Sequence, residues 1–225
     1  MISNDIDFDA ARRALASAGR TQIPGFLQAA AAEQLHACLR DEVPWEINER
    51  NRPPVPLSGQ PDEASLMAEA YRTAGKGFHF VYDRYHMMEA LRDHRDAHLL
   101  LHPVLRFLNS VEFIEFAKFL SGDRQIRKVS AQATRYRPGQ FLMTHDDKID
   151  SEDRRYAYVI NLTRRWHADW GGLLHFTDHK GAIVDSLMPA WNTLNVFRVP
   201  FQHYVGLVSP WAHEPRLSIT GWFLP

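Results

Sequence analysis

The sequence predicts a mainly β fold with N-terminal helices, a sandwich or barrel of jelly-roll type in which the helices pack on one sheet. Three observations predict it. Beyond Gly122, short runs rich in β-branched and aromatic residues recur between turn residues, at Pro138-Gly139, Gly171-Gly172, Pro189, Pro200 and Pro215. Before Gly122, apolar residues recur mostly at helical spacing. The 225 residues, 45% of them hydrophobic, are enough for one packed core. We read a single domain over 1–225, with 1–122 as helical support and substrate-side segments and 123–225 as the β core.

Taken in order, residues 8–17 read as a short helix, and 21–26 as a strand that ends at Pro24-Gly25. Residues 28–40 carry Leu35 and Leu39 on one face among alanines, an amphipathic helix on which Cys38 is a small packed residue. Residues 48–62 hold Pro53, Pro54, Pro56, Ser58, Gly59 and Pro61, which no helix or paired strand tolerates, and read as a loop. Residues 79–87 alternate around Phe80, Tyr82 and Tyr85, a strand or an ordered loop beside the core. Val104, Phe107, Leu108, Val111, Ile114 and Leu120 predict one long helix over 103–120, with Phe113, Phe116 and Phe119 widening its apolar face. Strands are then predicted at 129–136, 140–145, 156–163, 173–177, 194–199, 203–208 and 216–223.

Composition narrows the function. With 26 basic and 27 acidic residues the net charge is −1, so there is no general electrostatic reason to bind nucleic acid or an anionic membrane. No apolar run approaches the roughly 20 residues that span a bilayer. Cys38 is the only cysteine, so no internal disulfide forms, and residues 1–20 lack the basic-then-apolar order of a secretory signal; the expected location is cytoplasmic.

The chemistry is carried by His145-Asp146-Asp147, with His203 and Arg216 downstream. In an extended chain His145 and Asp147 leave the same face while Asp146 points away, so Asp147 is the predicted partner of His145. His203 opens a predicted strand, whereas His213 lies in the loop-like 209–215 run three residues before Arg216. His167, His175 and His179 complete no comparable pattern and read as surface or packing residues. Two histidines and one carboxylate on one face of a metal leave its other face open, as a non-haem Fe(II) site requires, although zinc accepts the same donors. The last strand argues for iron. Arg216, Ser218, Thr220 and Trp222 alternate with Leu217, Ile219 and Phe223, which turns a cation inward. A planar guanidinium grips a carboxylate through two parallel hydrogen bonds, and the distal carboxylate of 2-oxoglutarate is such a partner.

Arg135-Tyr136-Arg137-Pro138-Gly139-Gln140-Phe141 before the His-Asp-Asp run, then 155–163, Trp170-Gly171-Gly172-Leu173-Leu174, 197–203 and 216–223, resemble the prolyl-hydroxylase branch of the Fe(II)/2-oxoglutarate-dependent dioxygenases over about 129–225. The resemblance implies a double-stranded β-helix whose major sheet is backed by the helices. It implies His145, Asp147 and His203 as metal ligands and catalytic residues, and Arg216, Tyr136, Thr220 and Leu174 around the co-substrate. Where many members of the branch place a second tyrosine, this chain has Asn161, with Ala157 and Val159 on the same strand face and Tyr158 on the other. The implied cofactors are Fe(II), 2-oxoglutarate and dioxygen, with ascorbate as a reductant. The implied reaction hydroxylates a C–H bond, of a prolyl residue in a protein or peptide, and releases succinate and CO2. The alternatives are a free amino acid or other small molecule as substrate, and a non-catalytic jelly-roll protein that binds 2-oxoglutarate or metal. Residues 48–62 and 78–86 are the candidate substrate-facing segments.

Overall fold

The computed structural model describes residues 1–57 and 62–225. Helix α1 (Phe8–Ala18) begins where the Asp7 carboxylate accepts the Ala10 N–H and stops at Gly19, whose φ of 70° suits a residue without a side chain. Strand β1 (Arg20–Pro24) and helix α2 (Ala29–Asp41) follow. The proline-rich segment is more ordered than a loop: Glu46–Glu49 forms β2 and Val55–Pro56 forms β3, paired through Ile47 and Val55. The remainder of that predicted loop, 58–61, lies outside the described residues. Helices α3 (Glu63–Ala74) and α4 (Met87–Arg92) enclose β4 (Phe80–Tyr85).

The helix predicted over 103–120 is two helices, α5 (Leu101–Leu108) and α6 (Val111–Ser121). Its period continues across the break, but polar chemistry at Asn109-Ser110 prevails. The Ser110 hydroxyl accepts the Phe113 N–H, and the Asn109 amide pairs with both backbone groups of Val129 at 2.9 and 3.0 Å. Among the described residues no helix is long and apolar enough to cross a membrane.

The remaining strands are β5 (Lys128–Val129), β6 (Gln132–Tyr136), β7 (Phe141–His145), β8 (Tyr156–Asn161), β9 (Leu174–Thr177), β10 (Ile183–Leu187), β11 (Thr193–Arg198), β12 (His203–Val205) and β13 (Arg216–Leu224). Hydrogen-bonded neighbours run β1-β11-β8-β13-β6-β4-β7-β12-β9-β10, and the antiparallel sheet curls nearly into a barrel, the jelly roll that the turn spacing predicts. The 129–136 run divides into β5 and β6. Strand β10 escapes the sequence reading because its Ile183 and Val184 are exposed, so no inward alternation marks it.

Strand β4 joins the two halves of the barrel, pairing with β6 through Asp83–Tyr85 and with β7 through Phe80–Val81. An ionic knot holds it there. Asp83 is fully buried; its Oδ2 accepts Arg135 Nε at 2.8 Å and Arg137 Nε at 2.7 Å, and its Oδ1 accepts Gln140 Nε2 at 2.7 Å. Burial works against the Arg137 charge, but its bonds to Asp83 hold its pKa above the ordinary value. The Arg135 to Gln140 run is thereby a fastening between β4, β6 and the Pro138-Gly139 turn.

On the outward face of β8, β11 and β13, Leu35, Leu39 and Phe113 from the helices pack with Tyr158, Ile160, Val196, Ile219 and Phe223. Each such side chain contributes roughly 1.5–3 kcal/mol by leaving water. Alternation along the strands then commits residues 216, 218, 220 and 222 of β13 to the barrel interior.

Candidate metal and co-substrate site

His145 ends β7 and His203 begins β12, and the two are direct cross-strand partners with ring centroids 4.2 Å apart. Nδ1 of His145 lies 2.9 Å from the Met143 carbonyl and Nδ1 of His203 lies 2.7 Å from that of Phe201. Each Nδ1–H donates to a carbonyl, which turns Nε2 toward the cluster and, in the neutral ring, leaves it the lone pair, the arrangement that orients a metal-binding histidine. The Asp147 carboxylate meets both rings, Oδ1 at 3.3 Å from Nε2 of His145 and Oδ2 at 3.4 Å from Nε2 of His203. The three donor atoms lie within 4.8 Å of one another.

The route by which Asp147 reaches them differs from the sequence reading. Extended backbone ends at His145, and Asp147 adopts a left-handed φ of 64°, so a turn rather than strand alternation brings its carboxylate back. Arg154 Nη1 donates to the Asp147 carbonyl at 3.3 Å on the far side of that turn. Asp146 instead caps the Lys148 N–H.

Burial, aided by the neighbouring His145, pushes His203 down to about 4, so its ring is neutral near pH 7. Burial opposes the charge on Asp147, but the His145 hydrogen bond and the two imidazoles overcome it and lower its pKa. For His145 burial works downward and the bond to Asp147 outweighs it, raising the pKa; a cation would displace that proton. Two oriented imidazoles and an ionised carboxylate fit a divalent metal.

These groups stand on the wall of a cavity of about 200 Å³ that also reaches Arg216. Arg216 is 2% exposed, donates Nη1–H to the Gly172 carbonyl at 3.1 Å, and stands 5.3 Å from the centre of the Tyr136 ring. Its Nε has no partner among the described residues, and burial lowers its pKa with only Tyr136 opposing. A buried guanidinium without an acidic partner is costly, and a carboxylate entering the cavity supplies one. The Gly171-Gly172 turn matters here. Both residues have positive φ, and a Cβ on Gly171 would meet the Leu207 carbonyl oxygen, so only glycine presents the Gly172 carbonyl in this way.

Tyr136 stacks on Tyr82 at 5.2 Å between centroids, and burial raises its hydroxyl pKa. Leu174 and Thr220 line the cavity, the latter donating to the Tyr158 carbonyl at 2.9 Å. Asn161 departs from expectation. It is fully buried on the inward face of β8 but does not line the cavity, and its Nδ2 donates to Thr193 Oγ1 at 3.0 Å. Tyr158 faces outward and donates to the Ser130 carbonyl. His213 is exposed, edge-on to Trp170, and His175 Nδ1 pairs with Ser186.

Tyr82, from the 78–86 segment expected to face the substrate, and Trp222, on the inward face of β13, also line the cavity, and so does Arg154, to which the sequence assigns no role. The Arg154 guanidinium lies 3.6 Å over the Trp222 ring. The Trp222 N–H lacks a partner of good geometry, yet is near enough to Asp147 to help lower its pKa. Phe78, Phe80 and Tyr82 share one face by alternation, a signal that was legible; Arg154 stands among charged residues that hide it.

Residues 131–224 match the profile of the 2OG-Fe(II) oxygenase superfamily. Prolyl 3-hydroxylase OGFOD1 of Mus musculus is 29% identical over 155 residues, 65% of this chain and 28% of that protein, so the chain spans little more than a quarter of that relative's length. The fold resembles an oxidoreductase of the 2OG-Fe(II) oxygenase family from Burkholderia pseudomallei, with TM-score 0.66, 16% identity and coverage of 100% of this chain and 93% of the other. It also resembles a Pseudomonas putida prolyl-4-hydroxylase, with TM-score 0.58, 18% identity and coverage of 96% and 98%. The matched segment runs from the residue before β6 into the last strand, and it takes in the two histidines, the carboxylate and the buried arginine alike. Over its β core the chain is similar to the 2OG-Fe(II) oxygenase superfamily, and prolyl hydroxylases are among the proteins it resembles.

Proposed function

We propose that the chain is an Fe(II)- and 2-oxoglutarate-dependent oxygenase that hydroxylates a prolyl residue of a protein or peptide. The observation that carries the reading is Arg216, a buried cation without an acidic partner among the described residues, in the same cavity as a two-histidine, one-carboxylate cluster. In this reading His145, Asp147 and His203 hold the metal, and Arg216 pairs with the distal carboxylate of 2-oxoglutarate. Bound Fe(II) supplies the redox chemistry by which dioxygen and 2-oxoglutarate yield succinate, CO2 and an oxygen atom for the substrate.

The protein's own part is positioning and exclusion of water. Leu174 and Val159 give the cavity apolar walls, and Tyr136, held flat against Tyr82, covers the guanidinium face. Phe78 lies 5.9 Å from the His145 ring and belongs to the segment proposed to meet the substrate.

Prolyl specificity is supported by the sequence relatives, and because the matched relative is a 3-hydroxylase we assign attack to proline carbon 3. Likeness to the 4-hydroxylase carries fold alone. The test is mass spectrometry of proline-containing peptides and host proteins incubated with the Fe(II)-loaded chain, 2-oxoglutarate and air. The expected product gains one oxygen on a proline ring, with one succinate per product. Stoichiometric oxidation confined to a non-proline small molecule would contradict the prolyl assignment and leave the cofactor chemistry standing.

A further inference from the structure

Asn161, which stands where a direct ligand contact was expected, has a different use. The Thr193 hydroxyl donates to the Ala190 carbonyl at 3.0 Å, so its proton is committed and it only accepts from Asn161 Nδ2. That fixes the amide: nitrogen toward β11, oxygen away from it. Asn161 is flanked by Thr193 on β11 and by Ser218 on β13, so Oδ1 faces the β13 side.

On that side the Ser218 hydroxyl is engaged with Thr134 Oγ1 at 2.7 Å. Two residues along β13, on the same inward face, is Arg216. Diagonal neighbours across antiparallel strands lie about 7–8 Å apart, within reach of long side chains. Asn161 Oδ1 is a buried acceptor and Arg216 Nε–H a buried donor, and neither has a protein partner among the described residues. A buried polar group is normally satisfied, through an ordered water where direct contact is too long.

We propose that Asn161 is a positioning residue for Arg216: its Oδ1 accepts the Nε–H proton through one bridging water. With Nη1 held by Gly172 and Nε by this bridge, the guanidinium plane is fixed from two sides. Its remaining N–H groups then face the cavity. Asn161 touches neither metal nor co-substrate; it sets the angle at which a carboxylate is met.

This inference rests on the co-substrate reading of Arg216, and the test separates the two. The Fe(II)-loaded chain is titrated calorimetrically with 2-oxoglutarate under argon, where no turnover occurs, and metal binding is measured separately. Asn161→Leu keeps the approximate volume but removes the acceptor, and is expected to weaken 2-oxoglutarate about tenfold with Fe(II) affinity unchanged. Asn161→Asp places an anion beside the guanidinium, competes with the ligand's carboxylate, and is expected to weaken it further. Thr193→Val frees the amide to rotate and is expected to weaken it by a smaller factor, a readout independent of any folding defect at 161. Arg216→Lys is the control for the underlying reading. If Arg216→Lys loses affinity while folded Asn161→Leu and Thr193→Val bind 2-oxoglutarate as the wild type does, the positioning role is overturned and the co-substrate reading survives. If Arg216→Lys also binds normally, the co-substrate reading fails first.

Discussion

His145→Ala, Asp147→Ala and His203→Ala should each bring succinate formation to background while the chain still folds. Each removes one of three donors, and the two that remain do not hold a divalent cation in one geometry. The structural costs differ, and this makes the test specific. Asp147 and His145 border a cavity and carry little of the apolar core, so replacing either should change the unfolding free energy by only about 1 kcal/mol. His203 also packs edge-on to Phe197, at 4.6 Å between centroids, so His203→Ala should cost more. Urea unfolding of the metal-free variants, alongside succinate release with Fe(II), separates the two effects. His213→Ala should retain full turnover, because that ring is exposed and lies outside the cluster. An active His203→Ala beside an inactive His213→Ala would reverse the assignment.

The largest effect on stability is expected at Asp83, far along the chain from the cluster. Asp83→Ala leaves the side chains of Arg135 and Arg137, only 16% and 24% exposed, without their shared anion, and leaves Gln140 short of an acceptor. Breaking a buried ion pair by removing one partner costs about 3–5 kcal/mol. In a domain of this size that lowers the melting temperature by about 6–20 °C. Arg137→Ala added to Asp83→Ala should cost less than the sum of the single changes, because the Asp83–Arg137 pair is lost in each single variant and only once in the double. A single Asp83→Ala variant within about 1 kcal/mol of wild type would show that β4 is held by packing alone.

Much of this arrangement was legible because it depends on period-two alternation. Arg216, Ser218, Thr220 and Trp222 share a face in any regular strand, and the turn residues after Gly122 mark where strands end. What alternation does not report is how strands are ordered. Residues 79–87 read as a strand or a loop, and nothing local says that β4 bridges β6 and β7; its register depends on Asp83 meeting arginines more than fifty residues away. The helix predicted over 103–120 failed for a related reason: the period survives, but Asn109 finds its partner in Val129. Asp147 was selected by assuming an extended chain and is delivered by a left-handed turn. Asn161 shows the limit of reading a residue from its strand face, since facing inward did not place it on the cavity wall.

In the proposed function, His145, Asp147, His203 and Arg216 form one metal and 2-oxoglutarate centre. A crystal structure of the chain with Mn(II) and 2-oxoglutarate tests it most directly, because manganese takes similar donors. The metal is expected on Nε2 of both histidines and the Asp147 carboxylate, with the far carboxylate of 2-oxoglutarate paired to the Arg216 guanidinium. Metal held elsewhere, or a bound 2-oxoglutarate whose far carboxylate turns away from Arg216, would contradict it.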